Sequence, residues 1–221
     1  MVIVREPIQS CESYIRLSYE AGDLSTCQIK IARMLTMVAH PCNDASETFG
    51  IKLEDLKSNP KLEMEQFCKW ASIKFEDTLL SSTVLGNIWW GDPTSVDYKP
   101  SSDPFDTTAI KRRLGYIFSD RDIFRLTSLF YPFYLNFSYA LPPDYNHHRS
   151  LKELAATINE PFDFESKISI SKGTPPENIK SNSTYQYLRY IMHRRCEQLS
   201  SFNTYPHLLK PYADDRPRQM L

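Results

Sequence analysis

The chain has 221 residues, 41% of them hydrophobic and 13% aromatic, with 26 lysine or arginine and 27 aspartate or glutamate side chains. This balance excludes both the general basic field of a nucleic-acid coat and the acidic field of a solvating tail. Only six glycines occur, and neither a G-x-G-x-x-G cradle nor a P-loop is present, because Gly91 is followed by Asp92 and Pro93 instead of Lys and Ser or Thr.

The start of the chain and its cysteines predict a cytoplasmic protein. The apolar run Val2-Ile3-Val4 is ended at once by Arg5, so it is too short for the apolar region of a signal peptide. The five cysteines are odd in number and lack both a disulfide framework and a C-x-x-C metal clip. We therefore expect reduced, mostly buried thiols, no bound metal and no cofactor.

Residues 1–90 read as a helical N-terminal region. A capping-box pattern at Ser25 begins a predicted helix that ends before Pro41, Pro60 begins a second, and a third is predicted over about 78–89. Residues 91–106 then form a proline-rich connection with few apolar side chains. We place the domain boundary there.

Residues 107–200 mix helical and strand patterns. Ser119, followed three residues later by Asp122, predicts a helix start, whereas apolar alternation predicts strands at 133–139 and 162–172. The order helix, helix, strand, helix, strand, helix is compatible with a winged-helix-like module. The expected fold class is therefore α+β and predominantly α-helical. Residues 201–221 contain three prolines and are predicted to be an extended tail that docks on another surface.

One pattern suggests catalysis. A nuclease of the restriction type needs a carboxylate at a strand end and then an acid and a lysine alternating on a neighbouring strand, to hold Mg²⁺ and position water. Asp144, Glu165 and Lys167 have this order. Because such short strings are common by chance, we keep a Mg-dependent PD-(D/E)xK-like nuclease as the alternative to a solvated strand face.

Basic residues gather on two predicted helices of the second module. If their faces converge, they form a phosphate-contacting surface; the alternative is two solvated faces paired with local carboxylates. The predicted nucleic-acid-binding residues are Lys111, Arg112, Arg113, Arg121, Arg189, Arg194 and Arg195.

The aromatic content favours an interaction protein over an enzyme. Aromatic and apolar side chains at the end of the first region, near the first predicted strand and in the tail are expected to anchor a partner chain. The predicted partner-binding residues are Trp89, Trp90, Tyr131, Tyr134, Tyr205, Leu208 and Tyr212.

The sequence thus predicts a non-catalytic bridging subunit of a larger complex. By architectural analogy, such a subunit suits a bacterial nucleic-acid-handling or antiviral defence machine built on an SMC or ABC-type ATPase, with nucleic acid contacted through the assembled complex. Two alternatives stay open: the nuclease above and a stand-alone DNA-binding regulator. No membrane association is expected.

Overall fold

A computed structural model describes residues 1–44, 48–81, 83–85, 87–88, 103, 105–107, 110, 115–143 and 145–212. Six residues predicted to be functional lie outside these ranges: Trp89, Trp90, Lys111, Arg112, Arg113 and Asp144.

The described elements are mainly helices. These are α1 (Pro7–Glu20), α2 (Leu24–Met37), α3 (Leu53–Ser58), α4 (Pro60–Ala71), α5 (Asp120–Asn136), α6 (His147–Thr157), α7 (Asp163–Ser171) and α8 (Ser183–Phe202). The short strands are β1 (Val2–Val4), β2 (Gly50–Lys52), β3 (Thr83–Val84) and β4 (Asn87–Ile88). The predominantly helical character predicted from the sequence is confirmed.

The chain forms two compact units, one of residues 1–50 with 114–221 and one of residues 51–113. This division differs from the predicted one, which separated residues 1–90 from residues 107–200. It differs because α1 and α2 pack with α5 and α8 in one core. The apolar stripe of α2 is therefore covered by α1 and by the C-terminal helices of the same unit.

In the larger unit, α2 packs against α1 on one side and α8 on the other, while α5 contacts α1, α6, α7 and α8. Ile31 and Leu35 of α2, Leu126 and Leu129 of α5 and Leu188 of α8 are fully buried in the shared core. Burial of each such side chain contributes about 1.5–3 kcal/mol to folding.

In the smaller unit, α3 packs against α4, and Phe67 stacks on Trp70 with ring centroids 6.2 Å apart. Pro60 begins α4 as predicted. The predicted helix over 78–89 is wrong, because the described residues form a 3-10 turn at Asp77–Leu80 and then the antiparallel pair β3–β4. Leu85 lies between those strands with φ 52°, a turn conformation that a continuous helix cannot contain.

The segment that follows α8 packs back onto its own unit. Leu209 N donates to Val38 O at 3.0 Å, Gly50 N donates to Lys210 O at 2.8 Å, and Val2 N donates to Phe49 O at 2.8 Å. A Cβ on Gly50 would lie 2.6 Å from Cζ of Phe137, so this close approach requires glycine. The described part of the predicted tail is thus a structural element of the larger unit.

The strand predicted at 133–139 is wrong, because residues up to Asn136 continue α5. The buried side chains of this stretch follow a helical spacing: Leu126, Leu129, Phe130, Phe133, Tyr134 and Phe137. Pro132 lies inside the helix and removes only one backbone donor. Apolar residues four positions apart, such as Phe133 and Phe137, fit both a helical stripe and an alternating strand pattern. This shared spacing explains the apparent alternation.

The strand predicted at 162–172 is wrong as well, because α7 occupies residues 163–171. Phe164, Glu165, Ile168 and Ser169 are buried while Ile170 is exposed, which is the spacing of a helix. With both strands replaced by helix, the described residues of 107–200 contain no strand, and the winged-helix assignment is not confirmed.

The helix start predicted at Ser119 is confirmed, since its hydroxyl accepts a hydrogen bond from Asp122 N at 3.2 Å. Among the described residues, no helix combines the length and the apolar character needed to cross a membrane.

Candidate functional site

The carboxylate of Glu165 lies fully buried in the first turn of α7. Its Oε1 accepts a hydrogen bond from Gln28 Nε2 at 2.8 Å, and its Oε2 accepts one from Phe162 N at 2.7 Å. Oε2 also forms an ion pair with Arg189. Both oxygens are therefore occupied by protein donors, and this carboxylate joins α2, α7 and α8.

The nuclease pattern is not assembled by the described residues. Glu165 and Lys167 lie two positions apart on a helix, so their side chains point about 200° apart around its axis, and Lys167 is exposed while Glu165 is buried. Asp144 lies outside the described residues. Within the described ranges, no group of three histidine, cysteine or acidic side chains is placed to hold a metal ion.

Arg189, predicted to contact phosphate, is buried, with 5% of its side chain exposed. Its guanidinium lies 4.3 Å from the ring centroid of Tyr185 and 4.9 Å from that of Phe162. Together with the ion pair to Glu165, these cation–π contacts make it a core residue. The nucleic-acid-binding assignment of Arg189 is corrected accordingly.

Arg195 is corrected in the same way. Its Nε donates to Leu35 O at 3.0 Å, and its Nη2 donates to Thr36 O and Ala39 O, each at 3.4 Å. Leu35 and Thr36 lie in the last turn of α2 and Ala39 follows the helix, at the end where the helix dipole favours a cation. Arg195 thus fixes the C-terminal end of α2 against α8.

Sequence reasoning missed the buried pair Asp122 and Arg125 of α5. Asp122 accepts hydrogen bonds from Asp163 N at 2.8 Å and Phe164 N at 3.1 Å, which begin α7. Burial raises the pKa of Asp122 to about 6, although these hydrogen bonds oppose that shift. The sequence does contain an indication of this pair, because an acidic and a basic residue lie three positions apart on an otherwise apolar helix face.

Arg125 supports the segment that precedes α7. It donates to Thr157 O at 3.0 Å, Glu160 O at 2.9 Å and Pro161 O at 3.2 Å. Its guanidinium also lies 4.2 Å from the ring centroid of Phe162. Burial lowers the pKa of Arg125 to about 10, which leaves it charged at neutral pH. The buried ionic groups of this unit therefore hold loops and helix ends.

Of the predicted basic surface, Arg121 and Arg194 are the described members that reach solvent. Arg121 is paired with Glu160 and lies 3.7 Å from Asp163, so its charge is locally neutralised. Arg194 is exposed on α8. The described residues therefore do not converge into the phosphate-contacting surface that the sequence predicted.

The aromatic residues predicted to anchor a partner on α5 have intramolecular contacts. Tyr134 is buried instead of outward, and its hydroxyl donates to Glu6, the residue that caps α1. Tyr131 is partly buried and stacks on His147, with ring centroids 3.7 Å apart, and on Tyr145 at 5.6 Å.

The predicted tail anchors also contact their own unit. Tyr205 is buried and donates its hydroxyl hydrogen to Leu129 O. Leu208 packs against the core, and the ring of Tyr212 meets that of Phe49 edge to face at 5.5 Å. In this structure, these side chains stabilise the unit that carries them.

The outward face of α8 presents a different set of side chains. Tyr187 is 46% exposed and Tyr190 is 60% exposed, and Arg194 follows one turn later on the same side. The inward face of α8 packs against the core, where the side chains of Leu188, Ile191, Met192, Cys196 and Leu199 are buried. The spacing of those inward residues was sufficient to identify this face, because whatever lies opposite a buried stripe faces solvent. We call Tyr187, Tyr190 and Arg194 the α8 surface.

Comparison of the chain with protein families, curated proteins and solved structures gave no match.

Proposed function

We propose that this protein is a non-catalytic subunit that binds a partner protein through the α8 surface. The observation that carries the proposal is the pair of exposed tyrosines, Tyr187 and Tyr190, on a helix whose other face is already fully packed. Tyrosine and arginine are, with tryptophan, the residue types enriched among side chains that dominate binding energy at interfaces.

The use of the ionisable groups supports a non-catalytic role. Glu165, Asp122, Arg125 and Arg189 are buried and engaged with backbone groups, aromatic rings or each other. A catalytic acid or base needs access to substrate, which these partners deny. Burial also raises the pKa of Cys27 to about 12, so this thiol stays protonated and is no nucleophile.

For the partner, we keep the prediction made from the sequence. It is an SMC or ABC-type ATPase, and nucleic acid is contacted through the assembled complex. Lys111, Arg112, Arg113, Trp89 and Trp90 belong to that prediction.

The proposal is tested by exchanging both tyrosines of the α8 surface for alanine and tagging the chain in its native host. We expect Tyr187→Ala with Tyr190→Ala to lose co-purifying protein while the melting temperature stays unchanged, because neither side chain is part of the core. The matched control is Ser183→Ala with Gln186→Ala, an exposed pair on the same helix. Equal recovery of the same proteins with both double variants would contradict the proposal.

A further inference from the structure

The α8 surface continues onto the neighbouring helix α2. Asn182 Nδ2 donates to Ser25 Oγ at 3.2 Å near the N-terminal ends of both helices, and Arg195 Nε donates to Leu35 O near their C-terminal ends. The two helices therefore run parallel, and residues separated by 157 to 160 positions in sequence are level with each other. This offset places Arg33 of α2 level with residues 190–193, in the turns of α8 that carry Tyr190 and Arg194.

Arg33 points away from the core on the same side as the α8 surface. On α2, Lys30 faces α1, because it donates to Ser18 Oγ at 3.0 Å. Gln28 faces α8, because it accepts a hydrogen bond from Thr184. At 100° per residue, Arg33 lies opposite the core-facing side of α2, and it is exposed. The outer layer of α2 and α8 thus presents two tyrosines and two arginines.

Neither Arg33 nor Arg194 has a carboxylate within 4.0 Å among the described residues. Arg121, by contrast, has two, and Lys52 has one. One acidic residue, Glu197, follows on the exposed side of α8. The surface therefore carries a net positive charge beside aromatic rings, from two arginines that form no ion pair with a described carboxylate.

We propose, on the basis of the proposed function, that the partner segment seated on this surface is an acidic stretch of protein chain. Its carboxylates pair with Arg33 and Arg194, and an apolar side chain packs between Tyr187 and Tyr190. Complementary charge of this kind fixes register and speeds association. A nucleic acid fits less well, because two cations offset by Glu197 are few for a backbone that carries one charge per nucleotide.

The test places the photo-crosslinking residue p-benzoylphenylalanine at Tyr190 of the full chain in its native host and sequences the crosslinked peptide. We expect a protein segment with more aspartate and glutamate than lysine and arginine within about ten residues of the crosslink. Charge reversal at Arg33→Glu with Arg194→Glu should lower the crosslink yield about tenfold, because it sets like charges against each other. Arg33→Lys with Arg194→Lys should restore most of the yield.

The matched control reverses an exposed cation on another helix, Lys152→Glu on α6, and should leave the yield unchanged. Circular dichroism melting of each variant checks that the fold is intact. A crosslink to a protein segment without acidic excess, or a yield insensitive to charge reversal, overturns this inference and leaves the proposed function standing. A crosslink to nucleic acid alone, or to nothing, overturns both.

Discussion

At the scale of single residues, the molecule buries its charges to bind helix ends and loop backbone. Glu12 illustrates this use, because its carboxylate accepts hydrogen bonds from the backbone of Gly115 at 2.6 Å and Ile117 at 3.2 Å. Asp122 does the same for α7, and Arg195 for α2. A buried charged group that loses its partner destabilises the folded state. Removing one partner should therefore lower the free energy of unfolding strongly.

Glu165→Gln should lower the free energy of unfolding by about 3–5 kcal/mol, because it leaves the Arg189 guanidinium buried without a compensating charge. Urea unfolding measures the change. Lys167→Gln is the matched control, since it removes one charge from the exposed side of the same helix and should change the free energy by less than about 0.5 kcal/mol. If Glu165→Gln were as mild as Lys167→Gln, the buried pair would not hold the three helices together.

His147 makes a pH-dependent contribution to stability. Burial lowers its pKa below the ordinary 6.5, and the neighbouring His148 lowers it further, although Asn203 favours the charged form. The unfolded chain therefore binds this proton at a higher pH than the folded chain does. The contribution of His147 is fully present above pH 6.5 and declines as the pH falls below that value.

His147→Phe keeps an aromatic ring against Tyr131 but removes the titration. We expect the stability difference between the unmodified chain and this variant to fall as the pH is lowered from 7.5 to 5.5. The slope should stay well below the one-proton limit of about 1.4 kcal/mol per pH unit, because the ring is only partly buried. Asp122, whose raised pKa acts with the opposite sign, is common to both proteins and cancels. A difference that does not vary with pH would contradict this assignment.

At the scale of elements, the sequence predicted the helix starts at Ser119 and Pro60 correctly but misplaced the start of α2, which is capped by Asp23 instead of Ser25. It predicted the strands badly. Ser119 and Pro60 act through local capping geometry, so their signals survive in the folded chain. The strand patterns at 133–139 and 162–172 failed because Pro132 concealed the longer helical stripe of α5 and because Asp122, remote in sequence, caps α7. Interactions between distant residues decide such cases, and no local pattern contains them.

The segment after α8 was predicted to serve assembly more than folding, and the buried positions of Tyr205 and Leu209 correct that expectation. Leu209→Ala should lower the free energy of unfolding by about 2–5 kcal/mol, because it empties a buried site beside Gly50 and Phe137. Lys210→Ala, at the exposed neighbouring position, is the matched control and should have little effect. Equal midpoints of urea unfolding for the two variants would show that this segment is not part of the core.

At the scale of the whole molecule, α1 and α2 belong with the C-terminal helices, and residues 51–113 form a unit of their own. Local patterns in the sequence could not reveal this arrangement, because the contact between α2 and α8 joins residues about 157 positions apart. The α8 surface could be predicted from the sequence, because the apolar spacing of Leu188, Ile191, Cys196 and Leu199 marks the inward side of that helix. The basic surface could not be predicted reliably from the sequence, because the charge of a residue does not show that Arg189 is buried and Arg194 is exposed.

We propose that the protein works as a bound subunit and uses the α8 surface for that purpose. The most direct measurement is the sedimentation of the untagged chain in its native extract, followed with an antibody, for the unmodified protein and for the variant with Tyr187→Ala and Tyr190→Ala. We expect the unmodified chain to sediment well above its own 25.7 kDa and the variant to shift to the size of the free chain while remaining folded. Sedimentation of the unmodified protein as a free 25.7 kDa chain would contradict it.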